Sequence, residues 1–156
     1  MDYLSPYSRF LADEAATLQL GNEWVANLDA PLVIYLHGDL GAGKTTLTRG
    51  LLRGLGYQGV VKSPTYAIVE SYQLNQFTVH HFDLYRFASP NEWEDAGLDD
   101  LITNDSICLI EWPQQGGEWV PAADLSFSLN PHNEGRICTI TAQSESGKQS
   151  LNAWQN

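Results

Sequence analysis

Short apolar runs alternate along this chain with stretches in which apolar residues recur every three or four positions. Runs rich in β-branched and aromatic residues predict strands, particularly where turn-forming residues bound them. They cover residues 32–36, 66–72, 77–82, 107–112, 125–129 and 136–141. Two pairs of these runs, 66–72 with 77–82 and 125–129 with 136–141, are separated by short polar segments, which predicts two hairpins.

Helical spacing is found in three places. The apolar positions Leu11, Ala15 and Leu18 predict a helix over 8–28 with Ser8 as its N-cap. A second helix is predicted over 44–55, closed by a glycine, and a short third one over 89–96, where Ser-Pro-Asn-Glu forms a capping box. The tail beyond residue 143 is polar, and we expect it to be frayed or loosely helical.

Composition restricts the class of protein. The chain has 156 residues, 43% hydrophobic and 17% charged, with no repeat or linker, which predicts one α/β domain over 1–156. Lys and Arg number 8 against 19 Asp and Glu, a net charge of −11. This excess of negative charge repels a phosphate backbone and argues against a dedicated nucleic-acid-binding protein.

The N-terminal residues and the cysteines predict a cytoplasmic protein. Residues 1–10 lack the basic and apolar segments of a signal peptide, and the run 32–36 is too short to cross a bilayer, so no membrane association is expected. Cys108 and Cys138 lie inside strand-like runs, where a buried, unreactive thiol is the usual state.

The main chemical signal is the segment Gly38-Asp39-Leu40-Gly41-Ala42-Gly43-Lys44-Thr45, between a buried strand and a helix. It fits the nucleotide phosphate-loop pattern: backbone N–H groups surround the phosphates, Lys44 reaches the β and γ phosphates, and the Thr45 hydroxyl binds Mg²⁺. We therefore expect residues 39–45 to bind ATP or ADP with Mg²⁺. ATP is preferred over GTP because the guanine-specific motifs are missing.

Two acidic residues follow buried strands, where the carboxyl ends of strands face a phosphate crevice. Asp83 comes after Val79-His80-His81-Phe82, and Glu111 after Cys108-Leu109-Ile110. Both are candidate Mg²⁺ ligands and catalytic acids beside Lys44. His81 shares the strand face of Asp83 by its period of two, but a histidine there is more often a packed or solvated residue than a catalytic one.

Thr65 lies in the segment Lys62-Ser63-Pro64-Thr65-Tyr66, after the phosphate-loop helix. A hydroxyl here would contact a γ-phosphate and order the loop only in the triphosphate state. A plain turn is the alternative interpretation.

The phosphate loop, Ser63-Pro64-Thr65-Tyr66, His81-Phe82-Asp83-Leu84-Tyr85-Arg86 and Ile110-Glu111-Trp112-Pro113 together resemble the TsaE (YjeE) family, in order, spacing and total length. Tyr66 departs from the phenylalanine that this family often has. The resemblance implies a single P-loop domain with a mixed sheet flanked by helices. It implies ATP hydrolysis in tRNA threonylcarbamoyladenosine (t6A) synthesis, which allows turnover of a complex with TsaD and TsaB.

Site roles follow from the resemblance. It implies that Lys44 binds phosphates, that Thr45 and Glu111 bind Mg²⁺, and that Asp83 is the Walker-B-like acid. It further implies that Thr65 lies in a switch-like loop and that Trp112 lies beside the active-site glutamate. The charge balance adds that the chain does not hold tRNA stably by itself.

Two other functions remain open from the residues. A small-molecule kinase would transfer the phosphoryl group to a bound acceptor, but such enzymes usually bring an Arg-rich lid, and Arg49 and Arg53 fit a solvated helix face better. A nucleotide-gated binding module would hydrolyse ATP only incidentally, which slow hydrolysis accelerated by partners would favour.

Overall fold

The computed structural model describes residues 6–39 and 41–155. In these parts of the chain seven strands form one sheet, and helices lie against it. The strands are β1 (Tyr7–Leu11), β2 (Leu32–His37), β3 (Val69–Gln73), β4 (Thr78–Asp83), β5 (Ser106–Glu111), β6 (Leu125–His132) and β7 (Gly135–Ala142). The helices are α1 (Glu14–Trp24), α2 (Lys44–Gly54), α3 (Glu92–Asp95) and α4 (Glu145–Gln155), with 3₁₀ turns at Val25–Asn27, Leu98–Leu101 and Pro113–Trp119.

The order of strands in the sheet is β1-β7-β6-β2-β5-β4-β3. The four inner strands β6, β2, β5 and β4 are mutually parallel, whereas β3, β7 and β1 pair antiparallel with their neighbours. The sheet is therefore mixed and flanked by helices, as the resemblance implied. Because the inner strands are parallel, their carboxyl ends meet at one edge, where the phosphate loop leaves β2.

The buried residues explain why β2 and β5 occupy the middle of the sheet. Every residue of β5 is buried, and β2 alternates between buried and partly buried positions. Strands covered on both faces need such apolar runs. The strand predictions for these segments are confirmed, as are both hairpins, β3–β4 and β6–β7.

The predicted helix over 8–28 is wrong at both ends. Residues 7–11 form β1 and pair with β7, so Ser8 Oγ lies 3.2 Å from Thr139 Oγ1 instead of capping a helix. The cap of α1 is Asp13, whose Oδ1 accepts the Ala16 N–H at 2.9 Å. The apolar spacing of the segment suits a helix, but the exposed edge of β7 binds it as a strand.

Gly21, which interrupts the predicted helix, has a packing role. A Cβ atom at Gly21 would lie 2.4 Å from the Leu47 carbonyl oxygen, and one at Gly50 would lie 2.2 Å from the Leu18 carbonyl oxygen. Helices α1 and α2 therefore approach each other backbone to backbone at these two glycines. This close packing fixes the helix that begins at the phosphate loop.

Two strand boundaries and the state of the tail also differ from the predictions. Strand β3 begins at Val69, since Tyr66 is 82% exposed and the chain turns at Ile68, whose φ is 72°. Strand β5 ends at Glu111, because Trp112 adopts φ 57°. The tail is a packed helix, α4, with Leu151 fully buried and Ser150 Oγ donating to the Asn27 carbonyl at 2.8 Å.

The predicted third helix is present in the structure. The short third helix forms with a later start than predicted, and the Glu92 carboxylate accepts the Ser89 N–H at 3.0 Å as a capping box requires.

Cys108 and Cys138 are free and buried, and burial raises the pKa of Cys108 to about 11 and that of Cys138 to about 12. Among the helices of residues 6–39 and 41–155, none is long and apolar enough to span a membrane.

Candidate active site

The phosphate loop joins the carboxyl end of β2 to the first turn of α2. Gly41 and Gly43 have φ values of 81° and 109°, which a residue with a Cβ rarely adopts. Gly43 is the residue before the first turn of α2, so the free N–H groups of that turn point into the loop. Leu40 lies outside the described residues.

Lys44 is buried at the start of α2, with 5% of its surface exposed. Its Nζ donates to the Gly38 carbonyl oxygen at 2.6 Å and lies 3.3 Å from Glu111 Oε1. The same ammonium group lies 4.9 Å from the centre of the Trp112 ring, over its face. Lys44 is thus a buried cation at the edge of the sheet, where charges interact more strongly than in water.

Glu111 and Asp83 are register partners at the ends of β5 and β4, and both are buried. Glu111 Oε2 lies 2.5 Å from His81 Nε2, and its other oxygen faces Lys44. Burial alone would raise the pKa of Glu111, but the His81 hydrogen bond and the Lys44 charge outweigh it and lower that pKa. Glu111 is therefore an ionised carboxylate held between two partners.

Asp83 ties the loop containing Thr65 to the sheet. Its Oδ2 accepts the Thr65 hydroxyl at 3.1 Å, and its Oδ1 accepts the Tyr85 N–H at 2.9 Å. The Ile68 carbonyl accepts the Asp83 N–H at 2.8 Å. Ile68 is β-branched with a positive φ, a conformation that costs free energy and persists only where the surroundings impose it.

A cavity of about 310 Å³ lies between the loop, the two acids and Thr65. Its lining residues are Gly41, Gly43, Lys44, Thr45, Thr46, Ser63, Thr65, Asp83 and Glu111. The fold therefore brings together seven of the residues that the sequence predicted for the site. Asp39 and Ala42 line a neighbouring cavity on the side of the β6–β7 hairpin.

The donor set of this cavity fits Mg²⁺. The Thr45 hydroxyl and the carboxylates of Asp83 and Glu111 are hard oxygen ligands of the kind that Mg²⁺ prefers. Among the described residues no group of three or more His, Cys, Asp or Glu side chains is arranged to hold a metal. An ion here would thus need phosphate oxygens and water as further ligands, which is how Mg²⁺ usually binds beside nucleotides.

Two contacts of the site do not follow from the sequence pattern. His81 contacts Glu111 directly, although a histidine at this position is more often a packed or solvated residue. The one signal for this contact in the sequence is the strand that ends in Glu111. Arg136 of β7 reaches the phosphate loop, with Nη1 donating to the Gly41 carbonyl at 3.4 Å. These residues are 95 positions apart, and no local pattern marks the pair.

Arg49 and Arg53 do not form a lid over the phosphate loop. Arg49 forms an ion pair with Glu14 at 2.7 Å, and Arg53 Nη1 donates to the carbonyls of Tyr57 and Gly59. Neither lines the cavity at the phosphate loop. Trp112, in contrast, lies beside Glu111 as the resemblance implied, packed between Lys44 and the Tyr85 ring.

Comparison with known proteins identifies the family. The model of the family described as "Threonylcarbamoyl adenosine biosynthesis protein TsaE" matches residues 11–138. A protein of Haemophilus influenzae, named tRNA threonylcarbamoyladenosine biosynthesis protein TsaE, is 42% identical over 154 residues, covering 96% of this chain and 98% of its own. A protein of the same name from Bacillus subtilis is 39% identical over 111 residues, covering 70% and 69% of the two chains. The crystal structure of Bacillus subtilis YdiB superposes with a TM-score of 0.81 at 25% identity, covering 99% of this chain and 97% of that one. The chain therefore belongs to the TsaE family.

Proposed function

We propose that this protein binds and hydrolyses ATP with Mg²⁺ as a component of t6A synthesis in tRNA. The observation that carries the proposal is the cavity in which Lys44, Thr45, Thr65, Asp83 and Glu111 converge on the phosphate loop. A cation, hydroxyl groups and two carboxylates around backbone N–H donors are what phosphoryl transfer to water requires. The family name of the relatives supports the tRNA pathway.

Each residue has a distinct task in this proposal. The loop amides of residues 39–45 bind the phosphates of ATP or ADP, and Lys44 exchanges its contact with Glu111 for the β and γ phosphates. Thr45, with Asp83 and Glu111, would hold Mg²⁺, whose chemistry is to neutralise charge on the transferring phosphoryl group. Thr65 would exchange its hydrogen bond with Asp83 for a γ-phosphate contact and so report the nucleotide state.

The partners we propose are TsaD and TsaB, with the chain docking on them rather than on tRNA. Of the 8 basic residues, Arg9, Lys44 and Arg49 are already in ion pairs with glutamates. This leaves few cations for phosphate contacts, and the net charge of −11 favours a basic protein surface. Fluorescence anisotropy at low salt should show no submicromolar binding of labelled tRNA, whereas affinity for the TsaB–TsaD pair should differ between an ATP analogue and ADP.

The decisive test is phosphate release from ATP by the purified chain, alone and with TsaD and TsaB, without any added acceptor. We expect slow hydrolysis that Lys44→Ala abolishes, with circular dichroism showing that the variant is folded. Equal turnover in Lys44→Ala and the unaltered chain would contradict the assignment. ADP formation that requires a small-molecule acceptor and releases no phosphate would instead indicate a kinase.

A further inference from the structure

His81 is a completely buried histidine between the two candidate acids. It lies on β4 two residues before Asp83, and none of its surface is exposed. One ring nitrogen, Nε2, lies 2.5 Å from Glu111 Oε2. The other, Nδ1, is buried and has no hydrogen-bond partner among the described residues.

These contacts fix the position of the ring proton. Glu111 is ionised, and an ionised carboxylate can only accept hydrogen bonds. The proton of the short contact therefore lies on Nε2. Nδ1 has no hydrogen-bond partner among the described residues, so the contact of Nε2 with Glu111 is the polar contact through which the ring acts.

The two oxygens of Glu111 are consequently different. Oε2 is occupied by His81, behind the site, while Oε1 lies 3.3 Å from Lys44 Nζ at the phosphate-loop cavity. If Lys44 moves to the phosphates when nucleotide binds, the His81 contact is the one that remains. Without it the carboxylate would be free to rotate about its last side-chain bond.

We infer that His81 is a positioning residue for Glu111, which it holds through Oε2 so that Oε1 alone faces the nucleotide. The inference rests on the proposed ATP hydrolysis and goes beyond it by naming the oxygen that acts and the residue that selects it. Residues that orient a metal-binding side chain through a hydrogen bond typically change metal affinity or activity by about 10–100-fold when they are replaced.

His80 provides a matched control on the opposite face of the same strand. It is also buried, but its Nδ1 lies 2.7 Å from Ser71 Oγ, away from the cavity. The amide nitrogen of glutamine can replace Nε2 of a histidine, whereas that of asparagine reaches only the position of Nδ1. Glutamine is therefore the conservative change at His81, and asparagine is the conservative change at His80.

The experiment compares single-turnover hydrolysis and ATP affinity at saturating Mg²⁺ in His81→Asn, His81→Gln and His80→Asn. We expect His81→Asn to lower the rate about 10–100-fold while the ATP dissociation constant changes less than about threefold. His81→Gln should recover most of the rate, and His80→Asn should hydrolyse as the unaltered chain does. In a Glu111→Gln background, His81→Asn should cause no further loss, since one residue acts through the other.

The outcomes separate this inference from the proposed function. Unaltered hydrolysis in His81→Asn, or an equal loss in folded His81→Asn and His81→Gln, overturns the positioning role while leaving the ATPase assignment intact. Unaltered hydrolysis in Glu111→Gln overturns the proposed role of Glu111 instead.

Nuclear magnetic resonance of the ¹⁵N-histidine-labelled chain gives a readout that is independent of activity. We expect a slowly exchanging, low-field Nε2–H proton on His81 that moves upfield in Glu111→Gln, because the charge-assisted bond is weakened. The absence of such a proton on Nε2, or an unchanged chemical shift of that proton in Glu111→Gln, would overturn the inference.

Discussion

The two ends of β2 open onto cavities with very different chemistry. At the Leu32 end, a cavity of about 420 Å³ has Asp29 as the one charged residue among the described residues that line it. At the phosphate-loop end, a cavity of about 310 Å³ is lined by Lys44, Asp83 and Glu111. The larger space is therefore the chemically poorer one.

This difference shows that converging buried charges mark the site better than volume does. Burying an ionised group is costly unless partners compensate for it. The buried contacts of Glu111 with Lys44 and His81 therefore require that the fold position all three side chains together. The cavity at the Leu32 end is lined largely by neutral side chains and needs no such arrangement. Substitutions at the phosphate-loop end are therefore expected to change activity, whereas substitutions at the Leu32 end are expected to change stability alone.

The largest expected effect is on catalysis at the phosphate-loop end. Glu111→Gln keeps the size of the side chain but removes its charge, and we expect ATP hydrolysis to fall about 100-fold or more with much less change in nucleotide affinity. Phosphate release and isothermal titration with an ATP analogue measure the two quantities. A parallel loss of affinity and rate would mean that Glu111 serves binding alone.

A smaller and different effect is expected for Asp83→Asn. Asp83 contacts the Thr65 hydroxyl and the Tyr85 N–H, and its carboxylate is a candidate Mg²⁺ ligand. We expect the Mg²⁺ concentration for half-maximal hydrolysis to rise about tenfold, with partial recovery of the rate at high Mg²⁺. Titration of Mg²⁺ for Asp83→Asn beside Glu111→Gln tests this, and an identical Mg²⁺ dependence in the two variants would contradict separate roles.

The pH dependence of stability should also belong to the phosphate-loop end. The pKa of Glu111 is below its ordinary value of 4.5 in the folded chain, because the His81 hydrogen bond and the Lys44 charge outweigh the opposing effect of burial. A lowered pKa means that the stabilisation is complete above about pH 4.5 and is lost as the pH falls through the folded value.

The measurement is urea unfolding of the unaltered chain and Glu111→Gln at pH 7 and pH 3.5. The free energy of unfolding of the unaltered chain minus that of the variant should decrease on acidification. An increase would show that the pKa of Glu111 is raised, not lowered, in the folded chain.

The smallest effect is expected at the Leu32 end. Ser150→Ala removes the hydrogen bond to the Asn27 carbonyl, and we expect a loss of about 1 kcal/mol in the free energy of unfolding. Hydrolysis should be unchanged, because this end is not part of the proposed reaction. Altered ATP turnover in a stably folded Ser150→Ala variant would contradict the expectation that the cavity at the Leu32 end has no part in hydrolysis.

The sequence by itself determined the parts of the site that depend on local pattern. The phosphate loop is contiguous, and its glycines are needed for backbone conformations such as φ 109° at Gly43. Asp83 and Glu111 could be predicted as neighbours because each follows a buried strand and parallel strands end at one edge. The central strands could likewise be predicted from their apolar runs.

Only the tertiary structure decided the features that depend on distant partners. Residues 7–11 carry a helical spacing of apolar positions but pair with β7, since the backbone groups of an open sheet edge offered hydrogen bonds that local propensity could not anticipate. Glu111 and His81 are 30 positions apart, and Arg136 and Gly41 are 95 apart. Such contacts depend on strand register and side-chain packing across the whole sheet, which no window of sequence contains.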